Sequence, residues 1–355
     1  MIPGIIKNLL VKIEQSGFEA YLVGGFVRDA LLHRKTNDID IATNALPKDL
    51  TILFGPSLKT EMYGSYHLKI EQYTIDITTY RKEIGYVKGR LSEMAYSSNM
   101  VEDAKRRDFT MNAIYMNKNE EIIDLYDGRK DLKEKKLKMI GNPVLRLEED
   151  PIRILRAVRF ASMYHLEMNK SLKKAILKTK KNLENASIVK IRKELDGILL
   201  ADGFSLLKKL GLLKELGIMN QKVVFVEDLS GLWAQIKTNR EYVVEKELKI
   251  RQKSIAEKLK CGTIKVLDLY YFGFYQCLTV AKILKFPVKK LEKMYQNMPI
   301  HSRKDIVLTA DEIQSFSGVK GEMLGKLLKD LEEKIVLKKV LNTEESIQKF
   351  VKEWR

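Results

Sequence analysis

The chain has 355 residues, 45% hydrophobic and 31% charged, too long for one ordinary core and suited to two to four modules of a soluble globular protein. Lys and Arg number 64 against 47 Asp and Glu, a formal net charge of +17. A polyanion, nucleic acid first, is therefore the partner to expect, beside the plainer reading of a lysine-rich composition. No apolar run is long enough to span a bilayer, the residues after Met1 lack a signal-peptide pattern, and only Cys261 and Cys277 occur, so a cytoplasmic protein with two buried thiols and no disulfide framework is expected.

In chain order, residues 5–17 have the spacing of a short amphipathic helix, and 19–23 read as a buried strand. Gly24-Gly25 break that strand, and helical spacing resumes over 26–32. Residues 38–43 alternate polar and apolar side chains as a half-buried strand does. Leu46-Pro47 opens another helix, and 67–71 with 74–80 predict a hairpin turning near Gln72-Tyr73. Residues 82–103 are polar and weakly patterned and predict a mobile loop. Strands at 113–117 and 121–125 complete a small mixed sheet, and from Leu147 onward the pattern is helical. The fold class is α+β, a mixed-sheet head followed by an all-α remainder.

Asp38 and Asp40 are the most informative pair. Carboxylates at i and i+2 of a strand point to one side. Magnesium is bound by one or two carboxylates together with water and substrate phosphates. The Gly24-Gly25 turn before a helix start offers backbone N–H groups to a phosphate. Two cations roughly 3.5–4 Å apart at such a pair can activate a hydroxyl and stabilise a pyrophosphate leaving group. Arg106-Arg107-Asp108 with Asn112 supplies guanidiniums for phosphates and polar groups for ribose hydroxyls, or is a solvated charge cluster at a helix start. Asp150 and Arg153, three apart, share a helix face, where they can read a base edge or simply pair with each other. Asp76 is either a third carboxylate for the metal chemistry or a surface residue of its strand. His33, His67, His165 and His301 are scattered and read as packing residues.

The run from Leu22 to Leu32, followed by Asp38-Ile-Asp-Ile-Ala-Thr43, resembles the first motif of the class II tRNA nucleotidyltransferases, the CCA-adding enzymes and related bacterial poly(A) polymerases. Arg106-Arg-Asp-Phe-Thr-Met-Asn-Ala113 is similar to the family's second motif at every fixed position, and Glu149-Asp-Pro-Ile-Arg153 to its Glu-Asp-x-x-Arg motif. The resemblance, of the Gram-positive bacterial type, implies a polymerase β-like nucleotidyltransferase head over 1–140. It also implies a helical neck with a nucleotide-template helix over 141–205, a helical body over 206–295 and a tRNA-binding tail over 296–355.

The same resemblance implies Mg2+ on Asp38 and Asp40, with Asp76 as a further catalytic carboxylate. It implies nucleotide binding by Gly24, Gly25, Arg28, Arg107, Asp108, Asn112, Asp150, Arg153, Arg156 and Arg159. Asp108 would recognise the ribose 2′-hydroxyl, Asp150 and Arg153 would act as the template for CTP and ATP, and Gly128 would lie in a hinge. The implied partner is tRNA, held at its acceptor and TΨC arms in part by Lys173, Lys174, Lys178, Lys180 and Lys181. The implied reaction is template-independent addition of CCA to the tRNA 3′ end with release of pyrophosphate. A full-length segment between Arg81 and Asp103 favours addition of the terminal A, and the segment 63–69 disfavours a poly(A) polymerase. A CC-adding or A-adding enzyme is the alternative within the family. A glycosyltransferase using Asp-x-Asp, or a non-catalytic RNA-binding helical protein, is the alternative outside it.

Overall fold

The computed structural model describes residues 2–58, 64–87, 90–242 and 244–354. Helix α1 (Gly4–Gln15) buries Ile6, Leu9, Leu10 and Ile13 along one stripe and leads into β1 (Ala20–Val23). Then come α2 (Gly25–Leu31), β2 (Asp38–Thr43), α3 (Pro47–Phe54), β3 (Ser65–Ile70) and β4 (Tyr73–Thr79). The head continues through β5 (Arg81–Val87), β6 (Arg90–Tyr96), α4 (Met100–Arg106), a 3-10 turn (Thr110–Asn112), β7 (Ile114–Met116) and β8 (Ile122–Asp124).

Six of these strands form a mixed sheet in the order β3-β4-β2-β1-β7-β8, with β2 and β4 parallel and the other pairs antiparallel. In β2, Ile39 and Ile41 are buried, which turns Asp38 and Asp40 to the opposite face. Each buried isoleucine contributes about 1.5–3 kcal/mol. A one-residue slip would exchange them for carboxylates, so the register is firmly held. That register sets Asp40 beside Asp76 of β4.

Residues 82–103 are not the mobile loop expected. β5 and β6 pair as an antiparallel hairpin, a separate two-stranded sheet, and α4 follows. The Asn99 side chain caps α4 by accepting from Val101 N at 2.7 Å. The hairpin eludes a pattern search because its pairing is irregular between Glu83 and Tyr86. Long-range ion pairs hold it instead, Glu83 meeting Arg106 at 3.9 Å and Arg153 at 3.5 Å. Tyr63, the first residue of the segment set against a poly(A) polymerase, lies outside the described residues.

The helical part begins with α5 (Gly128–Lys133) and continues through α6 (Pro143–Glu149), α7 (Ile152–Met163), α8 (Lys170–Thr179), α9 (Ile188–Leu200) and α10 (Phe204–Lys209). Two short strands, β9 (Lys136–Leu137) and β10 (Glu167–Met168), pair in parallel. Asp150 does not share a helix with Arg153. It sits between α6 and α7 with φ −138° and ψ 97°, because the residue before Pro151 is driven out of the helical region.

The elements through Asn220, with Lys237–Val243, make one compact unit, and Gln221–Ile236 with Val244–Arg355 make a second. The second unit is helical: α11 (Leu229–Ala234), α12 (Lys246–Cys261), α13 (Val266–Leu284), α14 (Val288–Gln296), α15 (Ala310–Ser317), α16 (Gly321–Val336) and α17 (Glu344–Glu353). Its core gathers Leu269, Val280, Leu291, Leu327, Leu331 and Ile347. Cys277 is buried there as expected, whereas Cys261, at the end of α12, is exposed. Among the described residues no helix is long and apolar enough to cross a membrane.

Gly128 opens α5 where a Cβ would stand 2.3 Å from the Thr110 carbonyl oxygen and 2.8 Å from Ile114 Cγ1. Its glycine is required by close packing. Gly128→Ala is expected to cost roughly 1–3 kcal/mol by overpacking, read as a lower urea midpoint at unchanged m-value.

Candidate active site

Every residue singled out for catalysis or nucleotide binding lines one cleft of about 890 Å³ in the first unit. At its floor Asp38 is exposed, with no side-chain partner among the described residues. The Asp40 Oδ2 accepts the Gly25 backbone N–H at 3.1 Å. Burial raises the Asp40 carboxyl above the usual carboxylate range, against the opposing pull of the Gly25 N–H and the Arg107 charge. Gly24 makes this approach feasible. It has φ 68°, and a Cβ there would lie 2.8 Å from Asp40 Oδ2.

Asp76 Oδ1 lies 2.5 Å from His67 Nδ1, its partner across the β3–β4 pair. His67 is therefore not the packing residue expected; it orients Asp76. The hairpin register holds the signal that would have found it, since the turn at Glu71-Gln72 sets residue 67 opposite 76.

The donor set here consists of hard carboxylate oxygens, one carboxylate without a protein partner and one half-buried. That chemistry fits a divalent cation such as magnesium held by two carboxylates with substrate oxygens completing the shell. Among the described residues no group of three or more His, Cys, Asp or Glu side chains forms a self-sufficient cage.

Above the floor, Arg28 is buried and committed. Its Nε and Nη2 donate to Asp29 at 3.0 and 3.1 Å, and Nη1 donates to Asn112 Oδ1 at 2.8 Å. Its guanidinium lies 4.5 Å from the Tyr164 ring centroid, and the Tyr164 hydroxyl donates to Asp29 at 2.9 Å. One side chain thus links α2, the 3-10 turn and the end of α7.

Asp108 accepts from the Phe109 backbone N–H at 2.8 Å, from Asn112 Nδ2 at 3.0 Å and from Arg156 Nε at 2.7 Å. Burial alone would raise this carboxyl, but the Arg156 charge and the hydrogen bonds outweigh it and pull it down to about 2. Glu194 of α9 accepts from Arg159 Nε at 2.7 Å and lies 3.9 Å from Arg156 Nη1. Arg107 is held by the fully buried Asp103 at 3.0 Å, and Asp103 also accepts the Tyr115 hydroxyl at 2.8 Å. Asp103 was missed, and its three- and four-residue spacing to Arg106 and Arg107 is the signal that could have found it; Glu194 had no signal in the sequence.

Arg153 does not pair with Asp150. Its Nη1 donates to the Arg146 carbonyl at 2.9 Å and to Glu149 at 3.1 Å, and its Nη2 donates to the Tyr86 hydroxyl at 3.1 Å. Tyr86 itself donates to Glu83, and burial pushes its hydroxyl up to about 12. The Asp150 side chain accepts only the Ile152 backbone N–H, at 3.1 Å, among the described residues. The β5–β6 hairpin is thereby joined to α7 through the side chain expected to read the base.

Residues 20–138 match the family model described as the Poly A polymerase head domain, and residues 237–351 match a putative second domain of tRNA nucleotidyltransferases. The CCA-adding enzyme of Lactococcus lactis is 32% identical, over 98% of this chain and 96% of its own. That of Ligilactobacillus salivarius is 31% identical, over 97% and 95%. The crystal structure of the Bacillus stearothermophilus CCA-adding enzyme with CTP superposes with a TM-score of 0.81 at 23% identity, over 99% of this chain and 98% of that one, a likeness of fold. The chain belongs to the CCA-adding enzymes, which are tRNA nucleotidyltransferases.

The depressed Asp108 carboxyl fixes a sign for acid sensitivity. Its folded value, about 2, lies below its ordinary 3.8, so its contribution is complete above 3.8 and is lost as pH falls towards 2. The contribution is roughly 2 kcal/mol. Asp108→Asn is expected to flatten the fall in stability between about pH 4 and about pH 2 in urea titrations. An unchanged acid limb would remove the assignment.

Proposed function

We propose that this chain adds CCA to the 3′ end of tRNA without a nucleic-acid template, using CTP and ATP and releasing pyrophosphate. The observation that carries the reading is the meeting, in one cleft, of Asp38 and Asp40 from β2 with Asp108, Asn112, Asp150 and Arg153. Membership in the CCA-adding enzymes and the CTP held by the solved Bacillus stearothermophilus relative support it. The reaction belongs to the cytoplasm, and the four-part division into head 1–140, neck 141–205, body 206–295 and tail 296–355 is the one we adopt.

In this reading Asp38 and Asp40 would hold Mg2+, which when bound would supply positive charge to the reacting phosphate. Gly24 leaves room for Asp40 at that position. The tRNA 3′-oxygen attacks the α-phosphorus, the α–β phosphoanhydride bond breaks, and pyrophosphate leaves. Asp76, its Oδ1 on His67, has its Oδ2 for the departing hydroxyl proton. Asp108, kept anionic by Arg156, accepts the ribose 2′-hydroxyl and so selects NTP over dNTP. Arg28, Arg107 and Arg159, each paired with a carboxylate, hold the walls of the nucleotide site in shape.

Asp150 accepts the exocyclic amine of cytosine or adenine, and Arg153 donates to the ring acceptors beside it. To do so, Arg153 exchanges Tyr86 and Glu149 for the base. The hairpin holding Tyr86 and Glu83 is thus coupled to base selection. Lys174, Lys178 and Lys181 grip tRNA phosphates, together with Lys173 and Lys180, which also meet Glu167 and the Gly211 carbonyl.

The test offers tRNA lacking CCA, or ending in C or CC, with CTP, ATP or both. Addition of three nucleotides in order is expected; long adenylate tails would mean a poly(A) polymerase. Asp38→Ala or Asp40→Ala is expected to lower incorporation by at least roughly a thousandfold, and a variant that kept its rate would sink the metal reading. Deleting residues 84–95 is expected to abolish A addition and spare C addition. Loss of both, or of neither, would refute that role for the hairpin.

A further inference from the structure

Seven arginines and two lysines line the cleft. Each of the seven arginines has a carboxylate between 2.5 and 3.6 Å away. An arginine already neutralised by a neighbour offers little net charge to an arriving polyanion. Lys190 and Lys193 of α9 differ. Both are exposed, both line the cleft, and neither has an ion-pair partner among the described residues. They lie three residues apart and so share a helix face, with Cβ atoms about 5–6 Å apart. The one carboxylate of α9 that lines the cleft, Glu194, is turned to Arg156 and Arg159 and leaves the lysines alone.

Their location separates two phosphate-bearing ligands. In the function proposed above, on which this inference rests, the triphosphate belongs at β2 and Gly25. Helix α9 joins the site elsewhere, through Glu194, at Arg159 and at Arg156, which supports Asp108 on the ribose side. We propose that Lys190 and Lys193 hold backbone phosphates of the RNA 3′ end, and so position the hydroxyl that attacks. They are positioning residues, acting on the primer and not on the incoming nucleotide.

The experiment compares the full-length chain with its Lys190→Gln/Lys193→Gln double variant on tRNA lacking CCA. The KM for tRNA is expected to rise by roughly tenfold, with the KM for CTP within about twofold of the parent's. Each single-strand phosphate contact contributes about 0.7 to the salt slope. The plot of log kcat/KM for tRNA against log salt should therefore flatten by about 1.4, and Lys190→Arg/Lys193→Arg should restore both readouts. A melting temperature equal to the parent's excludes misfolding as the cause. A rise in the KM for CTP alone would assign the lysines to the triphosphate and overturn the proposal. Unchanged constants with an unchanged salt slope would reduce them to a solvated helix face and overturn it equally. If the parent chain itself fails to extend tRNA, the proposed function is what falls.

Discussion

An arginine cannot shed its charge when it is buried, and that constraint organises the first unit of this protein. Each guanidinium lining the cleft is matched to a carboxylate, and several of the pairs join different elements. Arg156 ties α7 to Asp108 in the segment before β7, and Arg159 ties α7 to α9. Arg28 carries the same linkage from α2 to Asn112 and Tyr164. Removing one partner of a buried pair costs about 3–5 kcal/mol, because the other charge is left stranded. The pairs therefore dictate which helices stand against the sheet as much as they add to its stability.

The same neutralisation leaves the cleft polarised by what is not matched. Asp38 and Asp40 form no ion pair within the described chain, and neither do Lys190 and Lys193. The first two call for a cation and the last two for an anion. Burial holds the Asp40 carboxyl up, so its charged form is costly until a positive charge arrives. In the roles proposed above, a divalent cation brought with the nucleotide would answer the first demand and the backbone phosphates of the RNA 3′ end the second.

Much of this was legible in the chain, for reasons that differ by element. β2 was legible from end to end because its buried isoleucines alternate with carboxylates. The β5–β6 hairpin was not, because polar residues and an irregular register conceal its alternation and distant arginines hold it. The break at Asp150 was written in Pro151, whose ring excludes a helical residue before it, yet the three-residue spacing to Arg153 invites a single helix. Residues grouped by the site came through well, since all of them reach one cleft. Their bonding partners did not, since the partners of Arg153 on β5 and of Asp108 on α7 lie far along the chain.

The two thiols are unequal. Burial pushes the Cys277 sulfhydryl up to about 12 within the core of the second unit, which keeps it protonated and shielded. Cys261 ends α12 exposed to solvent. A maleimide dye or spin label offered to the native chain would therefore react at one place, on the second unit. The protein thus comes with a built-in attachment point for following tRNA capture by fluorescence, with no cysteine to remove first.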